Sequence, residues 1–303
     1  MNGIREVARA LQSLLMTTSI LTLLYHTAHA DAVVQLEVRP SSVDGRVHDF
    51  DEFNYVTYKD TDLSGRPLVV FLPGTNGKPD NLRMLLNNIE TFDFPVVGLE
   101  YNNSPAVAQI CPEDPSPECA AEFRRMRTFG GASSSPVFNK NYETVTARLH
   151  SLLSYLVESD ERWRRYLKED GINWQNIIIS GFSQGAGMAA YIAKQEMVER
   201  VVLFSGPWDF VRPEEKPAPW LYQAGRTPNL RWFGAYHVKE RTVRQIRGAY
   251  TALGIPNDHL IVFDHNIPST IVPEVKNPYH VSTVRDPSNI DAWRALYLGG
   301  PKQ

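Results

Sequence analysis

Residues Gly181-Phe182-Ser183-Gln184-Gly185 set one hydroxyl midway between two glycines, where the apolar run from Ile177 meets the small residues Ala186, Gly187, Ala189 and Ala190. A strand ending at Gly181, a sharp turn carrying Ser183 and a helix beginning near Gly185 would form a Gly-x-Ser-x-Gly nucleophile elbow. In that arrangement the serine projects from a cramped bend, so its neighbours must be small. The helix N-terminus also offers free backbone N–H groups and the positive end of the peptide dipoles to an oxyanion. Alone, the five residues suit a glycine-rich turn capped by serine equally well. The strong strand run before them, the small-residue helix after them and the earlier strands of the chain favour the nucleophile.

With this elbow, the earlier strand-to-loop "VVFLPGTNG", and an acid and a histidine downstream in the order serine, acid, histidine, the chain from about Val33 to Leu298 resembles the α/β-hydrolase superfamily. It looks most like the secreted serine esterases of that superfamily. "GFSQGA" is also close to the elbow of cutinases, though the rest of the chain is longer. The resemblance implies an α/β-hydrolase fold, a mostly parallel eight-stranded sheet flanked by helices on both faces. It also implies a serine activated by a histidine that a carboxylate orients. Four histidines follow Ser183. His259 opens a strand and His237 lies in the strand before the last. His265 and His280 follow the final strand, and "NPYHVS" sets His280 in a loop just before a C-terminal helix, where the resembled family carries its base. Glu240, Asp209 and Asp264 compete for the acid. The segment "YHVKERTV" occupies the acid's place in the resembled fold, which puts Glu240 first, with Asp209 the alternative; aspartate is the commoner residue there. The oxyanion donors implied are the backbone N–H of Gln184 and one from the "PGTNG" loop, at Thr75 or Asn76. Trp208 and Phe210 follow a strand end directly and would wall a substrate pocket, although aromatic residues in a long connection serve equally well to pack it down.

Apolar, β-branched runs alternate with helical periodicity along the chain, the pattern of strands linked by crossover helices. "AVVQLEVRP" and "FNYVTYKD" read as two early strands that would pair antiparallel. "RPLVVFLPG", "FPVVGLEY", "NIIISGF", "RVVLFSG", "LRWFGAYH" and "HLIVFDH" supply six more. After Asn141 the residues Val145, Leu149, Leu152, Leu153 and Leu156 share a helical face, and Arg241 to Leu253 reads as a helix ended by Gly254 and Pro256. Residues 102 to about 138 hold both cysteines, several prolines and "GGASSSP". They read as a long irregular excursion over the sheet edge within a single domain spanning 31–303.

The chain of 303 residues, 43% hydrophobic, is long enough for a sizeable core, and a net charge of -3 argues against nucleic acid as a partner. Arg5 and Arg9 precede a largely apolar stretch from Ala10 to Tyr25, followed by Ala28-His29-Ala30, the small-x-small form that a signal peptidase cleaves. Residues 1–30 therefore read as a signal peptide. The stretch carries Gln12, Ser13, Thr17, Thr18, Ser19 and Thr22 and falls short of a membrane span, so no stable anchor is expected after cleavage. Export to the periplasm or the medium favours a disulfide between Cys111 and Cys119, the chain's two cysteines. No metal spacing or phosphate loop is present, and no cofactor is expected. The expectation is thus an exported serine hydrolase that cleaves carboxylic esters, small or polymeric, through an acyl-enzyme. A peptidase or amidase of the same fold and a non-catalytic hydrolase-fold binding protein are the alternatives.

Overall fold

A computed structural model describes residues 32–131, 134–212, 215–267 and 277–299. The stretch 1–30, expected as a signal peptide, lies outside the described residues.

All eight expected strands form and join one sheet: β1 (Val33–Val38), β2 (Asn54–Lys59), β3 (Leu68–Leu72), β4 (Val96–Gly98), β5 (Ile177–Phe182), β6 (Arg200–Phe204), β7 (Trp232–His237) and β8 (Leu260–Phe263). Their spatial order is β1-β2-β4-β3-β5-β6-β7-β8. β1 runs antiparallel to β2, and β2 to β4; every other pairing in the sheet is parallel. The central strands read as unbroken apolar runs because both faces are covered, and their side chains divide with the two-residue period of a strand. Leu68, Val70 and Leu72 of β3 enter one core, with Ile177, Ile179, Val201 and Leu203. Val69 and Phe71 enter the other, with Ile178, Val202 and Phe204.

Helices α1 (Arg83–Thr91), α2 (Cys119–Thr128), α3 (Val145–Ser159), α4 (Gln184–Gln195), α5 (Val243–Leu253), α6 (Pro278–Arg285) and α7 (Ile290–Leu298) connect and cover the strands. In α3 the Thr144 side chain caps the first turn by accepting from the Ala147 N–H, and Val145, Leu149, Leu152, Leu153 and Leu156 are all buried. α5 stops as its sequence predicts, with Gly254 in the left-handed conformation at φ 70°.

The segment after Asn102 departs from expectation. It is neither irregular throughout nor draped over the sheet edge. It carries the ten-residue helix α2, which packs on α4, the helix that follows the central strand β5. Cys111 and Cys119 form a disulfide with their Cα atoms 5.5 Å apart, and Cys119 is the first residue of α2. No helix among the described residues is long and apolar enough to cross a membrane.

Candidate active site

β5 delivers Ser183 to the carboxyl edge of the sheet, between the strand's last residue and the first turn of α4. Its backbone stands at φ 56°, ψ -117°, a region that L side chains avoid; the Ser183 N–H, donating to Phe204 O at 2.8 Å, helps hold it there. The small neighbours are needed sterically: a Cβ on Gly185 would stand 1.9 Å from the carbonyl oxygen of Leu72. Ser183 keeps 7% exposure, and among the described residues its hydroxyl has no hydrogen-bond partner.

The ring of His280, near the start of α6, lies against the elbow. Its centroid is 4.6 Å from that of Phe182, the residue before Ser183, and 5.8 Å from that of Trp208. His280 Nδ1 lies 2.6 Å from Glu240 Oε2, and a carboxylate in that position accepts the Nδ1 proton. Nε2 has no hydrogen-bond partner among the described residues. Glu240 is itself fixed: its side chain is fully buried, and Oε1 accepts from the Ser205 hydroxyl and from the His237 backbone N–H, both at 2.8 Å. Three hydrogen bonds onto one carboxylate compensate for taking its charge out of water.

The remaining histidines have other partners. His237 Nδ1 accepts from the Lys239 N–H at 3.1 Å, so Nε2 carries the proton and donates to His265 O at 2.8 Å. Burial lowers the His237 pKa, which keeps this ring neutral. His265 Nε2 lies 3.2 Å from Asp286 Oδ2. His259 stacks on Phe233 at 4.2 Å.

Asp209, the alternative acid, is engaged elsewhere. Its carboxylate forms a fully buried ion pair with Arg124 of α2, at 2.7 Å to Nη2 and 3.1 Å to Nε, and accepts from Trp220 Nε1 at 3.1 Å. The same guanidinium donates through Nη1 to the backbone O of Gln184 at 2.9 Å and to its side-chain Oε1 at 3.1 Å. Gln184 Oε1 also accepts from Val107 N at 3.3 Å. α2 thereby braces the residue next to Ser183. The approach is close enough that a Cβ on Gly187 would fall 2.1 Å from Arg124 Nη2. Sequence reasoning missed Arg124, because a cation buried in a helix full of arginines carries no periodic signal.

Of the two loop residues proposed as oxyanion donors, Asn76 has its N–H occupied: it donates to Asn103 Oδ1 at 2.9 Å, while Asn103 Nδ2 donates to Gly77 O at 2.8 Å. The Thr75 and Gln184 N–H groups have no acceptor among the described residues. The loop comes close to Ser183, since a Cβ on Gly74 would lie 3.1 Å from the Ser183 Cβ. Trp208 stands beside His280, whereas Phe210 pairs with Pro217 in a short two-stranded ladder. Phe210 lines a narrow crevice with Val107, Cys111, Ala120 and Trp208. Trp220, almost fully buried, is packing.

Among solved structures, the chain is similar to esterase B from Lactobacillus rhamnosis, at 12% identity over 88% of this chain and 87% of that one, with a TM-score of 0.46. It is also similar to carboxyl esterase 2 from Tuber melanosporum, at 11% identity over 98% and 97%, TM-score 0.44. A third likeness is to fungal esterases from Rhizomucor miehei, at 11% identity over 89% and 85%, TM-score 0.42. Likeness at this level says nothing of substrate or chemistry. No protein-family model and no curated relative matches the chain. The strand order and the serine-bearing turn after β5 decide the architecture. The fold is that of the α/β hydrolases.

Proposed function

We propose that the protein is an exported serine hydrolase that cleaves carboxylic esters, small or polymeric, through an acyl-enzyme. The observation that carries the reading is the short His280–Glu240 bond beside a serine on a strained turn, because it orients the imidazole and leaves its other ring nitrogen unbonded. In the forward step Ser183 Oγ attacks the ester carbonyl carbon while His280 Nε2 takes the hydroxyl proton. Glu240 stabilises the imidazolium. The carbonyl oxygen becomes an oxyanion held by the Gln184 and Thr75 N–H groups. Collapse breaks the acyl–oxygen bond, and the alcohol leaves with the proton from Nε2. Water then repeats the sequence on the acyl-serine, releasing the acid and restoring Ser183. The apolar stretch before Ala28-His29-Ala30, read as a leader, and the Cys111–Cys119 disulfide support export.

Turnover of p-nitrophenyl acetate and butyrate, compared with peptide anilides, tests the reaction class: esters should be cleaved and anilides spared. Glu240→Gln should lower kcat by about 10³–10⁴-fold, since an amide favours the wrong imidazole tautomer, whereas folded Asp209→Asn should keep turnover. The reverse pattern would transfer the acid's role to Asp209. Cleavage of anilides ahead of esters would make the protein a peptidase.

A further inference from the structure

A cleft opens against the loop that follows β3, at Asn76 and Gly77. It is an open cleft of about 490 Å³, with Phe50, Asp51, Glu52, Asn76, Lys78 and Glu100 on its walls. It stands at the carboxyl ends of β3 and β4, the edge of the sheet where open α/β folds gather ligands, and Ser183 follows the adjacent β5. Thr75, with its free N–H, is one Cα step, about 3.8 Å, from Asn76 on the cleft wall.

The charged groups around the cleft are matched within the protein. Lys78 Nζ lies 2.6 Å from Glu52 Oε1, Asp51 accepts from the Ser41 N–H and hydroxyl at 2.7 Å each, and Arg39 Nη1 donates to Asp51 O at 2.6 Å. Glu100 is the exception. It is 2% exposed, and its Oε2 has no hydrogen-bond partner among the described residues. The groups facing it are Arg148 from α3, Lys78 from the oxyanion loop, and Asp51 and Glu52 from the β1–β2 connection. Burial outweighs the two cations and pushes its carboxyl up to about 8, so at neutral pH it is a protonated acid able both to donate and to accept. The Arg148 guanidinium, also buried, donates to Asp49 O and Phe50 O at 2.7 Å, fixing the rim over Glu100. What the cleft offers a ligand is a neutral carboxyl, the exposed amide of Asn76 and the Phe50 ring. A cation would meet an uncharged acid there, and an anion would meet cations already paired. A neutral ring bearing hydroxyls on its rim and C–H groups on its face fits all three.

We propose that this cleft is a subsite for the carbohydrate part of the substrate, which makes the ester an acylated sugar. The substrate class rests on the hydrolase reading above; the cleft's capacity to bind sugar does not.

Isothermal titration of the whole protein with unacylated xylo-, cello- and manno-trioses tests binding directly. At least one should bind, about tenfold more weakly in Glu100→Leu, with affinity restored in Glu100→Gln, which keeps a donor and an acceptor in place. Binding of none at millimolar concentration, or equal binding by folded Glu100→Leu, overturns the proposal. The second arm is the ratio of kcat/KM for a mono-acetylated triose to that for p-nitrophenyl acetate. It should fall at least tenfold in Glu100→Leu and recover in Glu100→Gln; an unchanged ratio overturns the substrate assignment. A folded protein that binds a triose and cleaves neither ester would refute the hydrolase reading and leave the sugar site standing.

Discussion

Removing both partners of the Arg124–Asp209 pair should cost no more than removing either one alone. The two side chains have no exposure, so Arg124→Met strands a carboxylate whose remaining partner is Trp220 Nε1, and Asp209→Leu strands a guanidinium held by Gln184 alone. Breaking a buried pair from one side costs about 3–5 kcal/mol. For a chain of this size that corresponds to a fall in Tm of roughly 6–20 °C. The double variant Arg124→Met/Asp209→Leu leaves no uncompensated charge. It orphans the Gln184 carbonyl and the Trp220 N–H, at about 1–3 kcal/mol each. The double variant should therefore be about as stable as either single one, with an interaction energy of about 3 kcal/mol or more. Urea unfolding followed by tryptophan fluorescence measures all four corners of the cycle. Additive losses would refute the argument, because they would mean that the two groups do not compensate one another.

Glu100 should make stability depend on pH. Its folded pKa, about 8, is raised above the ordinary carboxylate value of 4.5, so the folded state holds a proton that the unfolded state releases between those limits. Wild-type stability relative to Glu100→Gln should then fall by about 1.4 kcal/mol per pH unit from roughly pH 5 to pH 8 and level off above, as read by urea melts at pH 5.5, 7 and 8.5. A difference that stays flat across that range would show that the carboxyl is not held protonated by the fold. Replacing Cys111 and Cys119 together by alanine opens a short loop, since the cysteines are eight residues apart, and should cost about 2–3 kcal/mol in the same measurement. No loss would show that α2 is fixed by its packing on α4 alone.

The parts of the molecule legible in its sequence are those built from local signals. The central strands of the main sheet could be read because a strand covered on both faces is an apolar run, the half-exposed edge strands β1 and β8 from their β-branched residues, and β5 with its glycines announced the turn at Ser183. α3 and α5 were visible from their apolar faces and, in α5, from Gly254 at its end. α2 was not, because its buried face includes Arg124 and Arg127, and burying cations inverts the pattern by which an amphipathic helix is recognised. The pairing of Arg124 with Asp209, 85 residues on, and that of Asn103 with the Asn76 N–H have no signature along the chain. Both are polar contacts made by the fold: one pairs Asp209 with a guanidinium, and the other occupies the Asn76 N–H. The proximity of Trp208 to His280 is likewise a product of the sheet's carboxyl edge rather than of spacing.

The claim on which the chemistry depends is that the Ser183 hydroxyl is an activated nucleophile. Incubation with a fluorophosphonate followed by peptide mass spectrometry addresses it without any choice of substrate. The expected result is one phosphonyl group per molecule, carried by the peptide containing Ser183. Labelling should be absent in Ser183→Ala and strongly slowed in His280→Ala. A folded protein that takes up no label, or takes it up on a different residue, would contradict the account.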